Sequence, residues 1–188
     1  MDVRQAVNNR RAFRALESAA ISPELIEDLA GCAQLAPSCF NNQPWNLVFV
    51  QKPQTLVEMR EALSEGNRWA YDASLMIAIF GKKEDDCIIR DRIYYQFDCG
   101  LAAGFLILRA TELGLVAHPI AGFSPKKTRE ILGIPEEFKI ITLIIVGQKS
   151  DELNQVLSEQ QAKSEKRRPR RKKLDEFVHV DKYGLSSN

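Results

Sequence analysis

Apolar positions along this chain recur at two spacings, and the change from one to the other marks out its elements. Leu47-Val48-Phe49-Val50, Ser74 to Phe80 and Ile140 to Val146 are nearly unbroken apolar runs. Such runs are the mark of strands covered on both faces. Leu115 to Ile120 is short and extended. Elsewhere the spacing becomes helical. Leu25, Ile26, Leu29 and Cys32-Ala33 share one face, as do Leu56, Met59 and Leu63. Ile93, Phe97, Leu101 and Leu108 lie on a common stripe, which predicts a long helix over 88–113.

Boundary residues agree with these spacings. Residues 2–8 read as a short helix. Ser22-Pro23-Glu24 and Ser124-Pro125 each offer an N-cap hydroxyl followed by proline at the first helical position, and Glu24 faces the positive end of its helix dipole. Pro37 stops the helix begun at Ser22, residues 53–63 form the next, and Gly114 is placed to end the long one. Helices alternating with buried strands predict a layered α/β or α+β fold with helices on both faces of a sheet.

The 188 residues fit one domain, 1–188, with 45% hydrophobic residues. Past about residue 150 the composition turns polar. Residues 151–188 hold few apolar anchors (Leu174, Phe177, Val178, Val180, Leu185), too few to fold alone. This C-terminal arm is therefore expected to wrap on the domain or on a second subunit. The formal net charge of +1 argues against a general nucleic-acid binder. No apolar run is long enough to span a membrane, and the opening residues lack the apolar core of a signal peptide. A cytoplasmic protein with neither membrane nor nucleic-acid partner is the expectation. The cysteines (Cys32, Cys39, Cys87, Cys99) show no C-x-x-C spacing, and only His118 and His179 accompany them. Reduced thiols and no metal site are therefore expected.

Four segments carry candidate chemistry. Arg10, Arg11 and Arg14 crowd together, suited to a phosphate or carboxylate, or simply solvated as a basic turn. Ala36 to Trp45 joins a helix to a strand with amide side chains that can read a ring edge, more than an ordinary turn needs. His118-Pro119-Ile120-Ala121-Gly122-Phe123 permits close backbone approach at Ala121 and Gly122; His118 is a candidate base, though a lone histidine beside a strand end is more often structural. Lys166 to Lys173 holds seven basic residues in eight. That run reads as a nucleic-acid patch, a solvated face, or a second set of cations closing on the anion held by Arg10 and Arg11.

Taken together, these segments resemble the nitroreductase family of flavin enzymes. Ala36-Pro37-Ser38-Cys39-Phe40-Asn41-Asn42-Gln43-Pro44-Trp45 matches its A-P-S-x-x-N-x-Q-P-W signature. Arg10 to Arg14, Asn67-Arg68-Trp69 with Asp72-Ala73, Pro119 to Phe123, and Arg171 to Leu174 with Glu176 to Val178 are similar to further family segments, in the same order. The resemblance implies an α+β three-layer sandwich, a central mixed sheet flanked by helices, in an intertwined homodimer. It implies FMN at the subunit interface, reduced by NADH or NADPH and reoxidised, in ping-pong fashion, by a nitroaromatic, quinone or similar flat acceptor. By position, Arg10, Arg171 and Lys173 hold the FMN phosphate, Arg11 and Ala12 line its approach, and Arg14 lies near flavin N1 and O2. Pro37, Ser38, Cys39 and Asn41 come from the other subunit. Asn67 meets the pyrimidine edge, and Pro119, Ile120, Ala121 and Gly122 pass along the ring, offering an N–H to N5. The chain departs from the family at Ala12, where a small polar residue is common, and at Cys39, where a serine is usual. A flavin carrier or redox sensor without efficient turnover is the alternative.

Overall fold

Helix starts follow the chemistry of their first residues. In the computed structural model, which describes residues 1–184, Asp2 and Gln5 exchange side-chain-to-backbone hydrogen bonds of 2.7 and 3.0 Å to open α1 (Val3–Asn9). Leu185, counted above among the arm's apolar anchors, lies outside the described residues. After β1 (Leu16–Glu17), Ser22 caps α2 (Pro23–Gln34) by accepting the Leu25 N–H at 3.2 Å. Strand β2 (Asn46–Val50) leads into α3 (Pro53–Met59), which tightens into one 3-10 turn, Arg60–Ala62, before Leu63 turns extended. Strand β3 (Leu75–Gly81) is buried at every position, as its apolar run predicts.

The next stretch corrects the sequence reading. The helix expected over 88–113 begins only at Tyr95. Residues before it form a hairpin of β4 (Ile88–Ile89) and β5 (Arg92–Ile93), paired Ile88 to Ile93. Ile88, Ile89 and Ile93 favour extended backbone, and Arg90 takes the left-handed conformation, φ 60°, that a two-residue turn needs. Ile93 shares helical spacing with Phe97 without sharing the helix. α4 (Tyr95–Glu112) then runs unbroken, and Gly114 at φ 80° ends it as expected. β6 (Leu115–Ile120), α5 (Pro125–Leu132), β7 (Lys139–Lys149) and α6 (Glu159–Lys166) complete the order.

Strand β7 organises the sheet. On one side it pairs with β3 (Ala78 opposite Leu143) and, beyond the end of β3, with β1 (Leu16 opposite Lys149). On its other side it pairs with β6, and β2 pairs with the free side of β3. Every pairing among the described residues is antiparallel, where a mixed sheet was expected. The reason is topological: β3 and β6, joined through α4, run parallel to each other, but β7 lies between them. Pro119 is tolerated within β6 because, among the described residues, that strand pairs on one side only.

Alternation along β3 and β7 sorts the core into two layers. Leu75, Ile77, Ile79, Ile144 and Val146 meet Leu29 and Ala33 of α2 and Ala102, Leu106 and Ala110 of α4. Met76, Ala78, Leu143 and Ile145 meet Met59, Trp69 and Ile134 on the opposite face. The result is the three-layer α+β sandwich the resemblance implies. Among the described residues, no helix is long and apolar enough to cross a membrane.

Candidate functional site

Between α1 and β1 the chain runs through Arg10 to Ala15, and the C-terminal arm folds back on it. The Glu165 carboxylate accepts the backbone N–H of Arg14 at 3.0 Å and of Ala15 at 3.3 Å. In return, the Arg11 guanidinium donates to the carbonyls of Ser164 and Glu165, at 2.6 and 3.0 Å. The Arg168 guanidinium donates to the carbonyls of Asn8 and Arg10. These bonds enclose a cleft of about 210 Å³, with Arg10, Arg11, Ala12 and Arg14 on one side and Arg168 and Arg171 on the other.

The cleft is cationic and uncompensated. Among the described residues none of its five guanidiniums forms an ion pair. Glu165, the acid beside them, spends both oxygens on backbone N–H groups. Burial holds the Arg10 guanidinium below its ordinary value, and the charges of Arg168 and Arg171 lower it further. Arg14 Nε is buried with no partner. The arrangement calls for an anion.

A second segment closes beside it. The Gly122 carbonyl accepts the Ser64 N–H at 3.0 Å and the Asn67 amide at 2.8 Å, while Asn67 Oδ1 accepts the Trp69 indole N–H at 3.1 Å. A Cβ on Gly122 would lie 2.5 Å from Ser64 Oγ and 2.6 Å from Asn67 Nδ2, so any side chain there would have to displace both groups. The Gly122 N–H has no backbone partner among the described residues. Arg14 reaches toward this segment, its guanidinium carbon 5.9 Å from the Trp69 ring centre.

His118 belongs to the structural frame. Its ring stacks on Trp69, centroids 4.7 Å apart, and Nδ1 lies 3.0 Å from the Phe13 carbonyl, so Nδ1 carries the proton and donates it. Burial pushes its pKa down to about 4 against the opposing pull of the Phe13 carbonyl, with the Arg14 and Arg10 charges adding to the fall. With Nδ1 committed to Phe13 and a pKa of about 4, the ring takes up a proton poorly and serves as a structural tie.

The loop at 36–45 corrects a second expectation. Cys39 is not a free thiol: it is joined to Cys87, Cα atoms 6.1 Å apart and 48 residues away in sequence, leaving Cys32 and Cys99 free. No local spacing could announce a pair brought together by the turn after β3. Phe40, Asn41 and Gln43 hold φ of 48°, 59° and 51°, a conformation costly for residues other than glycine. Fixed bonds sustain it: the Cys39 N–H donates to Asp98 at 2.7 Å, and Ser38 Oγ accepts the Gln43 N–H at 2.9 Å. Cys39, Asp86 and Cys87 present ligand-type atoms within 4.8 Å of one another, but the two sulfurs are spent on each other.

The sequence-chosen residues thus fall into three groups. Arg10, Arg11, Ala12, Arg14 and Arg171 meet in one cleft. Asn67 and Gly122 meet in the neighbouring segment, at the end of the strand that carries Pro119 and Ile120 and just past Ala121. Pro37, Ser38, Cys39 and Asn41 do not line the arginine cleft of their own chain. Lys173 also lies outside its lining, and Arg168 stands there instead. Glu165 and Gln161 went unnoticed. Their one available signal is that they sit one turn apart on a helix just before the basic run.

The sequence model of the Nitroreductase family matches residues 7–69 and 64–148. The chain is 25% identical over 183 residues to the NADH dehydrogenase of Thermus thermophilus, covering 81% of this chain and 89% of that one. It is 29% identical over 171 residues to the iodotyrosine deiodinase of Haliscomenobacter hydrossis, covering 76% and 77%. A solved structure described as an oxidoreductase containing FMN superposes with a TM-score of 0.82 at 24% identity, over 99% of this chain and 94% of the other.

Proposed function

Because the chain belongs to the nitroreductase family of oxidoreductases, we propose that it binds FMN and carries electrons from NADH or NADPH to a flat acceptor such as a nitroaromatic or quinone. The observation that carries this reading is the cleft of five arginines, none of them ion-paired among the described residues, with the Nε of one of them, Arg14, buried without a partner there.

The residues fit the cofactor. A phosphate monoester brings nearly two negative charges and several acceptor oxygens, which Arg10, Arg168 and Arg171 would share. Arg14, between that cleft and Trp69, would hold a cation against the ring system at the atoms where reduction adds negative charge. Gly122 lacks the side chain that would keep its free N–H from a ligand, and Asn67 fixes that stretch of backbone through the Gly122 carbonyl. Bound FMN would supply hydride acceptance and release, so the protein's task is to bind, orient and tune. Pro37, Ser38, Cys39 and Asn41, remote from the cleft of their own chain, would reach a partner's cofactor in a homodimer.

The decisive experiment is anaerobic. Purified protein titrated with FMN should take it up, and adding NADH or NADPH should bleach it until a quinone or nitroaromatic restores the colour. A protein that binds no FMN sinks the proposal. One that binds it but stays oxidised in excess NADH and excess NADPH is a flavin carrier.

A further inference from the structure

Helix α6 touches both ends of the site just described. From one turn, Gln161 donates its amide to the Gly66 carbonyl at 2.9 Å, beside Asn67. From the next, Glu165 holds the backbone N–H groups of Arg14 and Ala15. Residues four apart lie on one helix face, so a single rigid turn spans from the arginine segment to the Asn67–Gly122 contact. The helix is fixed at its own start, where Ser158 Oγ and the Gln161 side chain form a capping box.

Building on the FMN reading, we propose that α6 is a clasp whose closure is linked to phosphate binding, with Glu165 and Gln161 as positioning residues. The energetics follow from the charges. Closing the arm brings Arg168 and Arg171 against Arg10, Arg11 and Arg14, five guanidiniums with a single carboxylate beside them, Glu165, which is buried and engaged with backbone. Closure alone therefore costs repulsion, which a dianion in the cleft removes. Linkage makes the effect reciprocal: whatever binds the closed arm more tightly closes it, and whatever holds the arm closed tightens the anion. Glu165 supplies the hold on the arm's side, and its single charge leaves most of the cleft's positive charge for the anion. Gln161 transmits the same closure to the backbone at Gly66, so loading the phosphate end would also set the ring end.

Trypsin reads the clasp directly, because the arm's basic run at 166–173 offers it cleavage sites. Apo protein should be cut there quickly, and FMN or inorganic phosphate should slow the cut, while riboflavin, which has no phosphate, should not. Glu165→Gln replaces one acceptor oxygen by a donor facing an N–H. It should weaken FMN by about tenfold or more, the loss of a charged hydrogen bond, and restore fast cleavage at FMN concentrations that protect the wild type. Glu165→Asp should recover part of both. Thermal melting and circular dichroism establish that each variant folds. An arm equally protected with and without anion overturns the clasp, as does a folded Glu165→Gln variant with unchanged FMN affinity and cleavage. Protection by phosphate in a protein that takes up no FMN would remove the cofactor reading and leave the clasp standing.

Discussion

Trp69 and His118 stack with ring centroids 4.7 Å apart, and the second of these rings donates its Nδ1–H in a hydrogen bond to the carbonyl of Phe13. One buried pair thus ties the 3-10 segment Glu65–Asp72, which carries Asn67, to the backbone between Arg11 and Arg14. The tie depends on an uncharged imidazole.

Acid should therefore weaken the fold in a defined window. Burial sets the folded-state pKa of His118 at about 4, below the ordinary 6.5 of the unfolded chain. Its contribution is complete above pH 6.5 and is lost as pH falls toward 4, because the unfolded chain takes up the proton first. The loss amounts to about 3 kcal/mol across that window. Urea melts at pH 7 and pH 4.5 should show it, and His118→Gln should flatten this part of the profile. An unchanged slope in that variant would assign the acid sensitivity to other groups.

The disulfide makes a prediction that needs only mass spectrometry. Denatured without reductant, the protein should present two alkylatable thiols, Cys32 and Cys99, and four after reduction. Freeing Cys39 from Cys87 opens a loop of 48 residues, which by chain entropy costs about 4 kcal/mol of stability. Four thiols without reductant would remove the bond.

Phosphate affinity should follow the geometry rather than the charge run. Arg171→Ala and Arg168→Ala should each weaken FMN by about 1.5–3 kcal/mol, one charged hydrogen bond apiece. Lys173→Ala, outside the cleft lining, should change it far less. Fluorescence quenching titrations compare the three. Equal losses would mean that the phosphate is met by the run's charge as a whole.

Assembly as a homodimer is tested on α4. Phe97 and Phe105 are 62% and 42% exposed, and a Cβ on Gly100 or Gly104, on the same stripe, would meet nothing within 4 Å in its own chain. Intrachain packing therefore gives no reason for those glycines. Phe97→Glu with Phe105→Glu should yield a folded monomer that no longer retains FMN, because burying unpaired carboxylates opposes association. Sedimentation velocity with absorbance at flavin and protein wavelengths distinguishes this from unfolding. A wild-type monomer loaded with flavin would dispose of the dimer.

What the sequence shows and hides follows the range of each interaction. Ser22, Ser124 and Gly114 act within four residues of themselves, and the structure finds them doing what their types dictate. The runs at β3 and β7 are legible because every side chain meets a covered face, whichever neighbour covers it. The 88–93 hairpin is ambiguous in the sequence because three isoleucines satisfy either period over so short a window. The disulfide depends on a meeting of distant segments, and so does the choice of Arg168 over Lys173. Glu165 was invisible for a further reason: its partners are backbone N–H groups, which leave no trace in side-chain identity.

The central place of β7 fixes a schedule for the nascent chain. β3 and β6 are both made before β7, yet they cannot join one sheet until residues 139–149 emerge and slip between them. Until then β6 pairs with nothing and β3 has only β2 beside it, two unprotected edges open to other chains. The strand that closes this gap also captures Leu16 and Glu17 from the start of the sequence. Folding is thus dominated by late, distant contacts and should be slow for a protein of this size. The arginine cleft, which needs residues 164–171 of the arm, cannot form until they too have left the ribosome.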